Sequence, residues 1–162
     1  MTSAKYVALS ALAVAAVLVG SAPAFSQTAT QTIKFQVQAI NEIAVSGAPS
    51  LTIHGTPGRT ATATSNASTW SVTTNQTGAK VTAALAAPMP SGLTLSLALT
   101  PPAGAKSTGL QSLDTQPVDV VTDVSRLSAA HLPMTYELEA NVDAGTNLSG
   151  TRAVTLTITG GA

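Results

Sequence analysis

The chain contains no cysteine. That excludes disulfides, thiolate metal sites, cysteine nucleophiles and a lipid anchor built on a processed cysteine. Charge is scarce. Charged residues make up 9% of the chain, and 7 Lys and Arg balance 7 Asp and Glu. Nucleic acids and anionic membrane surfaces are held by clustered Lys and Arg, so neither is expected as a partner. Aromatic residues reach only 3%, so a core must be built from Val, Ile, Leu and Ala. There are 2 histidines, His54 and His131. Neither has a second histidine at the spacing a zinc site needs, and both are expected on the surface. The Gly-x-Ser-x-Gly elbow and the Ser–Lys motif of known hydrolases are missing too. No enzyme activity, cofactor or metal is expected from these residues.

Long apolar runs are also rare. The one present covers residues 7–19 behind Lys5. At about a dozen residues it matches a signal-peptide core and falls short of a spanning helix. Gly20 and Pro23 end it, and Ala24 and Ser26 fit a small-x-small cleavage site. The expectation is a signal peptide over residues 1–26 and a single β-sandwich domain over residues 27–162. With no second such run, no membrane span is expected in the mature chain. The location expected is secreted, extracellular or at the cell surface, with the periplasm as the alternative.

What is abundant is alternation. Apolar side chains recur at every second position, the period of a half-buried strand. Residues 51–53 read as a short strand, and residues 54–59 as a turn. Trp70, Val72 and Thr74, then Val81, Ala83 and Leu85, flank an Asn75-Gln-Thr-Gly78 turn and read as a hairpin. Leu93, Leu95, Leu97 and Leu99 give the clearest strand, with Leu95 and Leu97 expected in the core. Residues 100–109 read as a loop and residues 117–121 as a strand. Residues 125–132 are irregular and read as a helical turn or a crossing loop. Met134, Tyr136 and Leu138 alternate with Thr135, Glu137 and Glu139, and Val154, Leu156 and Ile158 alternate with Thr155, Thr157 and Thr159. The sum is an all-β antiparallel sandwich of about seven to nine strands. Trp70, Tyr136 and Phe35 share parity with aliphatic neighbours and are expected inside it.

Two features carry functional alternatives. Asp114, Asp119 and Asp123, or Asp143 with Asn147, supply the oxygens a calcium ion takes, though without the dense spacing of a known calcium loop. A binding module for calcium or a glycan is therefore the second reading. The other feature is residues 31–45, QTIKFQVQAINEIAV. Ile33, Phe35, Val37 and Ala39 alternate as a strand does. They fit the domain's own first strand, the expected reading, or an assembly strand donated to a neighbouring subunit, the alternative.

Residues 135–159, TYELEANVDAGTNLSGTRAVTLTIT, set a long strand, an Ala-Gly turn and a Thr-alternating last strand in sequence. This resembles the C-terminal half of bacterial fimbrial subunits and of secreted spore-coat-U-like proteins. The resemblance implies an immunoglobulin-like sandwich and a bacterial surface protein with a structural or adhesive role. Its implied partners are further copies of itself or other surface proteins. Members of those families often carry a disulfide, which this chain cannot form.

Overall fold

A computed structural model describes residues 27–54, 60–145 and 148–161. The expected signal peptide and most of the expected turn at residues 54–59 lie outside the described residues. The described part contains nine strands and no helix: β1 (Asn41–Ser46), β2 (Ala61–Thr74), β3 (Ala79–Leu85), β4 (Leu93–Leu99), β5 (Lys106–Ser107), β6 (Gln111–Ser112), β7 (Val118–Val124), β8 (Leu127–Ala140) and β9 (Val154–Thr159). They form two antiparallel sheets, ordered β1-β2-β8-β4-β6 and β5-β7-β3-β9. The all-β, sandwich-like architecture expected from the alternation is present. The chain divides after Gln36 into two units, and all nine strands belong to the second, which begins at Val37.

The core follows from strand parity. Leu95, Leu97 and Leu99 of β4 are buried while Thr94 is exposed. Val81, Ala83 and Leu85 of β3 point inward in the same way, as do Trp70 and Val72 of β2 and Met134 and Tyr136 of β8. Each of these strands therefore turns its apolar side chains to the other sheet and most of its Thr, Ser and Glu outward, with Ser68 and Thr74 of β2 the buried exceptions. Trp70 is the largest side chain in this core. Its indole Nε1 donates to the Thr100 carbonyl at 3.1 Å, so the one polar atom of the ring is satisfied.

Several elements differ from expectation. Residues 51–53 form no strand, although Leu51 packs against the core. The segments around Asn75–Gly78 are not a hairpin: β2 lies in one sheet and β3 in the other, so the turn carries the chain across the sandwich. The irregular segment at residues 125–132 is mostly strand. Only Ser125 and Arg126 separate β7 from β8, and they cross between the sheets in the opposite sense. Its irregular look has a cause. The β2–β8 register shifts between Trp70 and Val72, and His131 there adopts φ 56°. A bulge of this kind breaks period two and re-aims the side chains around it.

Gly47 ends β1 with φ +101°, and a Cβ there would run into the carbonyl oxygen of Ala67. Only glycine fits that position, because both the left-handed backbone and the close approach exclude a side chain.

Candidate assembly edge and N-terminal arm

Asn41 is the first of the described residues to lie in a strand, and it pairs with Thr74, the last residue of β2. β2 ends at Thr74, and beyond it the ladder continues only through Asn75, so β2 offers no strand to anything preceding Asn41. This is why the expected strand over residues 31–45 is present only from Asn41. Residues 27–40 are in no strand. Phe35, expected in the core, is 91% exposed, and Ile33, Val37 and Ala39 are exposed as well. An alternating apolar segment thus lies outside both sheets, an arrangement water disfavours at about 1.5–3 kcal/mol for each large side chain.

Asn75 continues the ladder by one step. Its side-chain Nδ2 donates to the Gln38 carbonyl at 2.7 Å. The Ile40 amide donates to its Oδ1 at 2.8 Å. Its own backbone amide donates to the Ile40 carbonyl at 3.3 Å. Residues 38–40 are held by this one residue.

The second element of the site is the side of the sandwich where β1 and β9 lie close to each other. Both are edge strands, β1 pairing with β2 and β9 with β3. Ile43 and Val45 pair across to Val72 and Trp70, so they face inward. Yet Ile43 is only half-buried and Val45 is 57% exposed. On β9, Val154, Leu156 and Ile158 pair with the buried Leu85, Ala83 and Val81, and so face inward too. All three are only half-buried. Five inward-facing aliphatic side chains therefore line an edge that nothing among the described residues fully covers. Outer-face Thr155, Thr157 and Thr159 are exposed, as the alternation implies.

His54 and His131 are both exposed. Asp119 pairs with Lys80 and Asp123 with Lys106, each at 2.9 Å. Asp114 accepts the Thr115 amide at 2.7 Å. Two of the three expected calcium carboxylates thus already face cations, and among the described residues no group of His, Asp and Glu gathers into a metal site. Asn147, the partner expected for Asp143, lies outside the described residues. Glu137 and Glu139 share the outer face, flanked by Thr64 and Ser96 and by Thr62 and Thr94. Among the described residues two groups have displaced pKa values. Lys106 is raised by its hydrogen bond and then by the charge of Asp123. The Tyr136 hydroxyl is raised by burial, which penalises the phenolate. Among the described residues no helix is long and apolar enough to cross a membrane.

Sequence reasoning marked the arm residues but missed two features. One is the uncovered edge, which depends on which strands become neighbours. The other is the grip of Asn75, a residue that composition marks only as a turn former. Comparison with known protein families, curated proteins and solved structures gives no match.

Proposed function

We propose that this is an exported, non-catalytic structural or adhesive protein of a bacterial surface, and that it assembles by lending its N-terminal arm to a neighbouring copy. The observation that carries the reading is the match between two incomplete features. The arm exposes Ile33, Phe35 and Val37 at alternate positions. The β1/β9 edge holds inward-facing Val45, Leu156 and Ile158 that are only partly covered. A strand added to the free side of β9 gives its backbone a partner and its alternate side chains a place in the core.

The strand order supports an immunoglobulin-like type. That fold places strands A, B, E and D in one sheet and C, F and G in the other. On this reading β1-β2-β8-β4 correspond to A-B-E-D, and β3-β9 to C-F. The seat of G, beyond β9, is the one left for the incoming arm.

Magnitudes indicate that both sides of the joint matter. Burying Ile33, Phe35 and Val37 is worth about 5–9 kcal/mol in all. Ordering seven backbone residues costs about 7–14 kcal/mol. The arm's own side chains do not offset that alone. Cover for the half-exposed residues of β1 and β9, and backbone hydrogen bonds along β9, must supply the rest.

Negative-stain microscopy of the purified exported protein, with unheated SDS gels, tests this reading. Filaments or regular chains with ladders on the gel support it. A monodisperse monomer at high concentration, with no ladder, refutes it.

A further inference from the structure

We propose that Asn75 is a positioning residue for this assembly, a clamp that fixes where the arm leaves the domain and so how much arm a neighbour can take. The inference rests on the assembly reading above. Its basis is the geometry at Asn75, where one carboxamide does the work of a missing peptide unit. It donates to Gln38 O and accepts from Ile40 N, at 2.7 and 2.8 Å. A group holding both partners must carry a donor and an acceptor together, which Asn has and Asp lacks when ionised.

The clamp is itself braced. Its Oδ1 also accepts from Gln76 Nε2 at 2.7 Å. Gln76 N donates to Thr74 Oγ1 at 3.0 Å, and Thr74 Oγ1 donates to Asn41 Oδ1 at 2.6 Å. The Gln76 carbonyl accepts the Arg126 amide at 2.8 Å, which ties the turn to the β7–β8 crossing. The consequence concerns length. Ala39 lies between the two gripped residues and is withheld from any neighbour. The free arm then ends at Val37, its last apolar anchor, and no slack separates that anchor from its own domain. Opening the clamp would release three residues, adding roughly 10 Å of reach and a flexible joint.

The test compares wild type, Asn75→Ala, Asn75→Asp and a form with three Gly/Ser residues inserted between Val37 and Gln38. Two quantities are read: amide exchange at Ile40, and the subunit spacing and bending of assemblies by electron microscopy. Asn75→Ala should raise Ile40 exchange by about tenfold or more, with exchange at Leu97 unchanged; the carboxylate of Asn75→Asp still accepts from the Ile40 amide and loses only the donor to the Gln38 carbonyl, so its Ile40 exchange should rise less. Their assemblies should show looser spacing and stronger bending, and the insertion should reproduce that with Asn75 intact. The insertion keeps the proposal testable if an Asn75 variant misfolds. Unchanged Ile40 exchange in folded Asn75→Ala overturns the clamp. Faster exchange with wild-type spacing, or an insertion without effect on spacing, overturns its positioning role alone. Absence of assemblies from wild type overturns the assembly reading and this proposal with it.

Discussion

Leu97 and Phe35 have the same sequence credentials and opposite fates. Each sits in an alternating apolar run, yet Leu97 is fully buried and Phe35 is 91% exposed. Alternation reports that a segment can present one apolar face. It does not report whose core receives that face. For Leu93–Leu99 the partners are present in the same chain, since β8 and β6 pair on either side of β4. For residues 31–40 no strand is present, because β2 ends at Thr74 and its ladder continues only through Asn75 to Gln38 and Ile40. Leu97→Ala should therefore cost about 2–5 kcal/mol through the cavity it leaves, read as a lower melting temperature or denaturant midpoint. Phe35→Ala should leave the midpoint of the unassembled protein where it was. An unchanged midpoint for Leu97→Ala would remove β4 from the core.

At the scale of elements, the strands were legible and their partners were not. The runs around Leu93–Leu99 and Val154–Thr159 stood out because period two is unbroken there. The turn at Asn75–Gly78 was legible as a turn, but the same residue types serve a hairpin and a crossing between sheets. Only the register of β3 against β7 and β9 distinguishes the two. The bulge at His131 hid the start of β8 for the opposite reason, since it breaks the pattern while keeping the strand. The uncovered edge was illegible because it arises from the meeting of β1 and β9, which are distant in sequence. It makes Val45 an informative position. Val45→Lys should leave the monomer's melting temperature nearly unchanged, since the side chain is already more than half exposed. It should weaken association strongly, because an incoming arm would bury an unpaired ammonium. Analytical ultracentrifugation reads this directly. A variant that associates like wild type would place the joint elsewhere.

For the molecule as a whole, the shortage of charge bears on stability. The surface ion pairs Lys80–Asp119 and Lys106–Asp123 are exposed and contribute little. On the alkaline side Tyr136 contributes, its pKa being raised from its ordinary 10.0 by burial. Below that ordinary value the hydroxyl is neutral both folded and unfolded, so its contribution is fully present. As pH rises past it the unfolded chain ionises first, and stability is lost on the way to the folded value. Tyr136→Phe should flatten the fall in melting temperature above about pH 10. An equally steep fall in the variant would assign that fall to another group.

The central claim is that the arm belongs to a neighbour's core rather than to its own. The most direct measurement uses a form lacking residues 28–36, melted with and without a synthetic peptide of residues 31–40. The account predicts that this form folds as a monomer and no longer assembles. Added peptide should raise its melting temperature in a concentration-dependent way, equivalent to about 2.7 kcal/mol at a hundred times the dissociation constant. The same peptide with Phe35→Asp should have no effect. A shortened form that unfolds, or one that stays folded and ignores the peptide, would contradict the claim.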